Sequence, residues 1–300
     1  MKNNIAVIGL GSMGYGIASS CLRSGNLVWG VDTNIDQVKA FCSEGGESTT
    51  LNSVIDKIDV VIVVVLNSMQ TEEVLFGREG LVENLKPETV VISCATVAPT
   101  FARYMEKRCK EFKVFYLDAP ISGGALKAKN GQLSIMASGV KEAFERARPT
   151  LDSISEIIFE LGDEAGAGSA MKSVNQLLAG VHIAVMAEAI TFGISQGVSP
   201  DKFVEVISKC AGTSWMLENR APHIVNGDYK PHSSINIWPK DLGIVLDVAL
   251  ESKFNAPIAT AALEQFRTAV DMGLGFEDDA AVAKVYAKSA NLSLPKKNDV

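Results

Sequence analysis

Short, largely apolar runs alternate with longer, helix-compatible stretches through the first half of the chain. Because these runs are almost entirely apolar, they are typical of strands buried on both faces of a parallel sheet. The six runs cover residues 5–8, 27–31, 60–66, 90–92, 114–117 and 133–137. Parallel strands separated by helices are βαβ units, so the pattern predicts a doubly wound α/β domain.

The pattern changes after the sixth run. Residues 162–168 are rich in glycine and are predicted to form a loop. A long helix is expected over 169–196, with Gly197 as its C-terminal stop. Further helices are predicted over residues 200–210, 240–253, 256–272 and 278–289. The 300 residues are therefore expected to form a Rossmann-type α/β domain over 1–162 and an all-α domain over 163–300, joined by the long helix.

Charge and cysteine usage narrow the classes of function. The formal net charge is -7 and no Lys/Arg-rich run occurs, which disfavours binding to DNA or RNA. The five cysteines are widely spaced and form no CxxC pair, so reduced thiols are expected rather than disulfides or a metal site. The longest apolar run has seven residues, too few to cross a bilayer, and glycines interrupt the apolar N-terminal stretch where a secretion signal would be continuous. The composition predicts a cytoplasmic protein with no membrane, nucleic-acid or metal partner.

Residues 9–14, Gly-Leu-Gly-Ser-Met-Gly, follow the first predicted strand and begin a helix, whose free N–H groups attract phosphate. Gly9 allows a tight turn, Gly11 lets the backbone approach a pyrophosphate, and Gly14 lets helix and strand pack closely. Asp32 ends the second strand 18 residues after Gly14, where a carboxylate binds a ribose 2′-hydroxyl and repels a 2′-phosphate. The predicted dinucleotide site comprises Gly9, Leu10, Gly11, Ser12, Met13, Gly14 and Asp32. NAD is expected rather than NADP, since no arginine closely follows Asp32.

Three further segments contain polar residues at positions that packing in an apolar core does not explain. The first follows the fifth strand and combines Ser122 with two glycines, whose hydroxyl and unobstructed amides suit a carboxylate. The second lies on the long helix, where Lys172, Asn175 and Gln176 at i, i+3 and i+4 project from one face. The third begins a later helix with Lys240, followed by Asp and Leu. Together these segments predict a site for a small polar acid.

Four motifs occur in the order found in a known family. They are residues 9–14, residues 118–124 with 131–133, residues 166–176 and residues 240–249. In these motifs the chain resembles the β-hydroxyacid dehydrogenases, relatives of 3-hydroxyisobutyrate and 6-phosphogluconate dehydrogenases, over nearly its whole length. The resemblance implies NAD-dependent hydride transfer from a small hydroxy acid, and a homodimer or homotetramer formed through the helical domain.

The resemblance also implies roles for individual residues. Lys172 would be the general acid/base, and Asn175 would orient the reacting hydroxyl. Because a lysine in water titrates near pH ~10.4, this role requires burial or nearby positive charge that favours the neutral amine. The substrate carboxylate would be held by Ser122, Gly123 and Gly124. The cofactor would also be contacted, or closed over, by Leu66, Thr96 and Lys240.

One departure from the family pattern bears on the substrate. Many members carry Asn-Asn where this chain has Asn175-Gln176, which argues against 3-hydroxyisobutyrate. His182 lies two turns beyond Asn175 on nearly the same face, so Gln176 and His182 are candidate ligands for extra hydroxyls of a polyhydroxy acid. His182 as a packed core or interface residue is an equally open interpretation.

Residues 175–184 are similar to the corresponding helix of L-threonate dehydrogenases, which implies oxidation of L-threonate at C2 to 2-oxo-tetronate. The alternatives are 3-hydroxyisobutyrate, or tartronate semialdehyde or succinic semialdehyde in the reductive direction. A non-catalytic NAD-binding sensor on the same fold is an alternative of another class. Trp215 and Trp238 either line a lid over the substrate or pack in the core.

Overall fold

The computed structural model describes residues 3–47 and 49–297. The chain forms two units, Met1–Lys172 and Ser173–Val300. The predicted domains, 1–162 and 163–300, differ from these units by residues 163–172, and their boundary stays a prediction.

The first unit contains the predicted parallel sheet. Its strands are β1 (Asn4–Ile8), β2 (Leu27–Val31), β3 (Val60–Val63), β4 (Val90–Ser93) and β5 (Phe115–Asp118). They pair in the order β2-β1-β3-β4-β5, all parallel. The first four helices are α1 (Gly14–Arg23), α2 (Ile35–Ser43), α3 (Ser68–Phe76) and α4 (Pro99–Glu111). The doubly wound α/β fold predicted from the sequence is thereby confirmed.

Alternate residues of each strand enter two separate hydrophobic cores. On one face, Val7 of β1 packs in the same core as Ile17 of α1. On the other face, Ile8 shares a core with Met105 of α4. Because successive side chains of a strand point to opposite faces, both must be apolar when helices cover both faces. This is why the strands read as continuous aliphatic runs.

A second, three-stranded sheet completes the first unit. Its elements are β6 (Ile121–Ser122), α5 (Gly124–Asn130), β7 (Leu133–Ala137), α6 (Lys141–Ile154) and β8 (Ser155–Glu160). β7 lies in the middle, antiparallel to β6 and parallel to β8. The sixth apolar run is therefore the centre of this small sheet and not a sixth strand of the large one.

The second unit is helical, and its first helix begins in the first unit. The helices are α7 (Ala167–Ser195), α8 (Pro200–Ile207), α9 (Trp215–Val225), α10 (Ile237–Glu251), α11 (Pro257–Asp271) and α12 (Ala283–Ser289). Gly197 follows α7 with φ +79°, the left-handed conformation expected of a helix stop. A short 3₁₀ turn, Asp279–Val282, precedes α12. The all-α domain and the long joining helix are confirmed, and α9 is an addition.

The long helix α7 is also apolar enough to cross a bilayer by length and composition. An 18-residue window within it has a mean hydropathy of 1.8, and 39% of that window is buried in the chain. The core helix of a soluble protein passes the same test, so this property alone assigns no membrane span.

Two adjacent buried aspartates hold the helices of the second unit together. Asp279 accepts hydrogen bonds from Arg220 Nε at 2.6 Å and from Trp238 Nε1 at 3.1 Å. Asp278 lies 2.8 Å from His223 Nδ1. Trp238 is 3% exposed, so it packs in the core and is not a lid residue.

Candidate functional site

The loops at the carboxyl ends of the parallel strands carry the predicted cofactor residues. The glycine-rich loop, residues 9–14, follows β1, and Asp32 follows β2. Because β2 and β3 flank β1, the chain reverses its direction of winding at β1 and β3. In open α/β sheets a ligand binds in the crevice outside the strand ends at such a switch point. The topology thus places the glycine-rich loop where a dinucleotide is expected.

The three glycines of this loop serve different purposes. Gly9 has φ +98°, and a Cβ there would lie 2.2 Å from the Val64 carbonyl oxygen. A Cβ on Gly14 would lie 1.8 Å from the Gly9 oxygen. These two glycines are required by the fold itself. A Cβ on Gly11 would meet no atom within 4 Å, so this position faces space that a bound molecule can fill.

The start of α1 is suited to an anion. The N-terminal cap, Met13, makes no side-chain cap bond, and the first turn carries no acidic residue. Among the hydrogen bonds within the described ranges, none is donated by the backbone N–H groups of residues 11–14. Unsatisfied amides at a helix N-terminus, together with the helix dipole, attract phosphate. The loop therefore fits the pyrophosphate of a dinucleotide.

Asp32 ties two of the loops together. Its carboxylate accepts a hydrogen bond from Leu10 N at 2.6 Å and another from Asn34 N at 2.7 Å. A carboxylate has about four lone-pair directions, so acceptor capacity remains for a ribose hydroxyl. The position and the remaining acceptors suit the predicted role of Asp32, which stays a prediction.

Two further predicted cofactor residues follow the next strands. Leu66 lies in the loop after β3 and is 54% exposed, and its N–H donates to Gln70 Oε1 at 2.8 Å. Thr96 lies half-buried in the loop after β4. Both loops leave the same edge of the sheet as the glycine-rich loop, because all five strands are parallel. Their contacts with the cofactor stay a prediction.

The predicted acid/base lysine lies next to the predicted carboxylate cradle. Lys172 is only 8% exposed, and its Nζ donates to the Ile121 carbonyl oxygen at 2.8 Å. Ile121 immediately precedes Ser122, and Gly123 and Gly124 adopt φ values of +133° and +78°. The first unit therefore brings the buried amine to the segment that contains Ser122. A solvent-exposed helix lysine would show none of this burial.

Asp118 was part of a predicted motif but had no predicted role. It is 1% exposed and accepts hydrogen bonds from Gly166 N at 2.9 Å, Ser169 N at 2.8 Å and Ser169 Oγ at 2.6 Å. Burial raises the pKa of Asp118, and these hydrogen bonds oppose the rise. Because α7 begins at Ala167, Asp118 fixes the first turn of the helix that carries Lys172. The available signals were an acidic residue at the end of β5 and, further along the sequence, the glycine-rich start of α7.

The second unit joins three of the predicted residues through one that was not predicted. Asn175 Nδ2 donates to Gln176 Oε1 at 2.9 Å, and Gln176 Nε2 donates to Asp241 Oδ2 at 2.5 Å. The other oxygen of Asp241 lies 2.7 Å from Lys240 Nζ. Gln176 and Asp241 are buried, while Asn175 and Lys240 are partly exposed. Both ends of the Gln176 amide therefore have protein partners.

His182 lies half-buried on α7, two turns after Asn175. Within the described part of the chain, no hydrogen bond involves its ring. The ring is thus neither a fully buried core residue nor tied to a polar partner, and a role in binding substrate stays a prediction.

Comparison with known proteins accounts for both halves of the chain. Residues 4–162 match the model of the NAD binding domain of 6-phosphogluconate dehydrogenase. Residues 166–286 match the model of the NAD-binding domain of NADP-dependent 3-hydroxyisobutyrate dehydrogenase.

Individual relatives match along nearly their whole length. An L-threonate dehydrogenase of Cupriavidus necator is 46% identical over 95% of this chain and 97% of its own. An L-threonate dehydrogenase of Escherichia coli K12 is 42% identical over 95% of both chains. A 3-hydroxyisobutyrate dehydrogenase structure from Salmonella typhimurium is 40% identical, with a TM-score of 0.89 over 95% of this chain and 100% of that one. The chain belongs to the β-hydroxyacid dehydrogenase family related to 3-hydroxyisobutyrate dehydrogenase, NAD-dependent oxidoreductases that act on CH–OH groups.

Proposed function

We propose that this enzyme oxidises L-threonate at C2 to 2-oxo-tetronate, with Lys172 as the general acid/base. The observation that carries the proposal is the buried Lys172 amine, which lies at the Ile121 carbonyl beside Ser122. The choice of L-threonate is supported by relatives named L-threonate dehydrogenase, which are 41% to 46% identical over 95% or more of the chain.

The residues divide the reaction between them. When bound, NAD supplies the hydride acceptor; residues 9–14 and Asp32 would hold its pyrophosphate and ribose. Lys172 takes the proton that the C2 hydroxyl loses, and it returns that proton in the reverse direction. Asn175 orients the same hydroxyl. Ser122, with the amides of the two glycines after it, binds the substrate carboxylate through charge-assisted hydrogen bonds.

The substrate is tested by offering NAD and a panel of hydroxy acids while NADH absorbance is followed. L-Threonate should give the highest kcat/KM, about tenfold or more above 3-hydroxyisobutyrate, because a polar group that binds an extra hydroxyl, for which His182 is the candidate, is left unpaired by the simpler acid. Tartronate semialdehyde and succinic semialdehyde with NADH test the reductive alternatives. A preference for 3-hydroxyisobutyrate would reject the proposed substrate. Binding of NAD with no turnover of any acid would indicate a sensor.

The acid/base assignment is tested by Lys172→Ala. Loss of a positioned proton acceptor should lower kcat/KM by about 10²- to 10⁴-fold, while the Kd for NADH, measured by fluorescence, stays within about twofold. The matched control is Lys202→Ala on α8, which removes an exposed lysine paired with Glu205. Turnover by Lys172→Ala at the rate of this control would exclude Lys172.

We further propose a cytoplasmic homo-oligomer. All five cysteines are free thiols, as expected in a reducing compartment. In the second unit, α7 exposes an apolar stripe consisting of Val174, Leu178, Val185 and Phe192, each 50% to 65% exposed. An exposed stripe of this kind on a soluble enzyme is typical of a surface that another copy covers.

A further inference from the structure

Four polar side chains of the second unit are joined by one ion pair and two hydrogen bonds. This network runs from Lys240 to Asp241, from Asp241 to Gln176 and from Gln176 to Asn175, with successive distances of 2.7, 2.5 and 2.9 Å. Asp241 is 3% exposed and Gln176 is 7% exposed, so its two middle members are shielded from water. Its two ends are the residues expected to contact cofactor and substrate.

Hydrogen-bond chemistry allows the side-chain amides in this network only one orientation. A carboxylate only accepts hydrogen bonds, so the Gln176 amide must turn its nitrogen to Asp241. The side-chain oxygen of Gln176 then faces Asn175, so Asn175 must donate to it from its side-chain nitrogen. Among the described residues, no hydrogen bond uses the side-chain carbonyl oxygen of Asn175 or its second side-chain N–H, and both groups are held in fixed places. The orientation of an amide, which is otherwise ambiguous by a flip, is thus set here by a buried carboxylate two residues away in the network.

We propose that Gln176 and Asp241 are positioning residues, which fix the Asn175 amide and the Lys240 ammonium in a single network. The inference rests on the proposed function, because that function gives Asn175 and Lys240 their contacts with substrate and cofactor. Gln176 therefore selects substrate through Asn175 rather than by touching an extra hydroxyl itself.

The length of the glutamine side chain is what closes the network. Asparagine at 176 would be shorter by one methylene, about 1.5 Å. Its amide could not keep a 2.5 Å bond to Asp241 and a 2.9 Å bond to Asn175 without a shift of the helix backbone. The Asn175-Gln176 pair is thus a matched unit with Asp241.

The test compares Gln176→Asn and Gln176→Leu with Gln196→Asn, which changes an exposed glutamine just after the end of the same helix. Because Asn175 would then be misplaced against the substrate hydroxyl, kcat/KM for L-threonate should fall by about 10- to 100-fold in both Gln176 variants, with the Kd for NADH unchanged. Asp241→Asn should affect both quantities, because Asp241 also holds Lys240. In an Asn175→Ala background, Gln176→Asn should change kcat/KM by less than about twofold, since it acts through Asn175. Thermal unfolding of each variant reports whether it is folded.

A second readout does not depend on turnover. With ¹⁵N in the glutamine side-chain amides, the Gln176 signal should be identified by its loss in Gln176→Leu and should move in Asp241→Asn and Asn175→Ala, but not in Gln196→Asn. If the wild type oxidises no hydroxy acid while these shifts occur, the proposed function fails and the network stands. The inference is overturned if the Gln176 signal moves in neither Asp241→Asn nor Asn175→Ala. It is also overturned if an active wild type loses nothing on Gln176→Asn, or if the loss is equally large in the Asn175→Ala background.

Discussion

Asp32 has one contact within the protein and one proposed contact with the cofactor. It holds the amide of Leu10 in the glycine-rich loop, and it offers remaining acceptor positions at the ribose end of the predicted site. Asp32→Ala should raise KM for NAD by about tenfold or more, equal to about 1.4 kcal/mol of binding, and should reduce discrimination against NADP. Steady-state kinetics with both cofactors measure this.

The matched control for Asp32 is Asp36→Ala. The Asp36 side chain is 86% exposed on the following helix, so its removal should leave both KM values unchanged. An Asp32→Ala enzyme with wild-type KM for NAD and wild-type preference over NADP would refute the ribose contact.

The cysteines should differ sharply in reactivity. Burial raises the pKa of Cys21, Cys94 and Cys109 to about 12, so these thiols carry almost no reactive thiolate at pH 8. Cys210 is exposed. Titration of the native enzyme with a disulfide reagent should show Cys210 as the fastest thiol, a signal that Cys210→Ser removes. The partly buried Cys42 should react more slowly, and the three buried thiols only after unfolding. Fast labelling of three or more thiols in the folded enzyme would contradict this burial.

At this scale the sequence was informative where a motif is local. Lys172 and Asn175 could be named as candidate site residues because helical spacing puts them on one face, and their roles, implied by the resemblance, stay predictions. Asp118 and Asp241 could not be given roles, because their partners are 51 and 65 positions away in the chain. Contacts of that separation depend on how elements pack, which periodicity does not encode.

At the scale of elements, three hydrogen bonds at the start of α7 go to a single carboxylate, that of Asp118. Asp118→Ala would leave the N–H groups of Gly166 and Ser169 and the Ser169 hydroxyl without their acceptor in the interior. We expect a loss of about 3–5 kcal/mol in the free energy of unfolding, measured by urea denaturation. Asp118→Asn keeps an acceptor and should cost much less. Equal, small losses in both variants would show that the helix start has other support.

The same carboxyl should give a pH dependence of known sign. Because burial raises the pKa of Asp118 above 3.8, the folded state binds this proton more tightly than the unfolded chain does. Its contribution to stability is therefore present at low pH and declines as pH rises through the interval between 3.8 and the raised value. The stability of wild type relative to Asp118→Asn should fall across that interval, and an increase would contradict the shift.

The elements that the sequence predicted are those with a strong, regular pattern. The aliphatic strands were recognisable because burial on both faces leaves almost no polar position. The long α7 was recognisable because a helix-compatible stretch lies between a glycine-rich loop and Gly197. The strand β8 was missed because most of its residues are at least partly exposed, including Phe159 at 45%, and its pattern is mixed. The helix α9 was missed because Pro222 lies inside it, and proline normally argues against a helix interior.

At the scale of the whole molecule, the apolar stripe of α7 predicts self-association. Leu178, Val185 and Phe192 recur every seven residues, so they lie within about 20° per step of one line along the helix. Leu178→Glu should convert the oligomer to a smaller species, as measured by light scattering without detergent. Arg267→Glu on α11, an exposed position, is the control. A wild type that is monomeric at micromolar concentration, or a Leu178→Glu variant of unchanged mass, would refute the assembly.

The last residue of the first unit is Lys172 and the first of the second is Ser173, yet one unbroken helix passes through both. The proposed proton acceptor, Lys172, and the amide proposed to align the hydroxyl, Asn175, are therefore three residues apart on one helix, and each residue turns by about 100°. Loops elsewhere can lengthen or shorten during evolution, but one residue inserted or deleted between these two would turn their side chains onto different faces of the helix. Natural and engineered descendants of this enzyme should therefore tolerate insertions and deletions in surface loops before they tolerate one between these two residues.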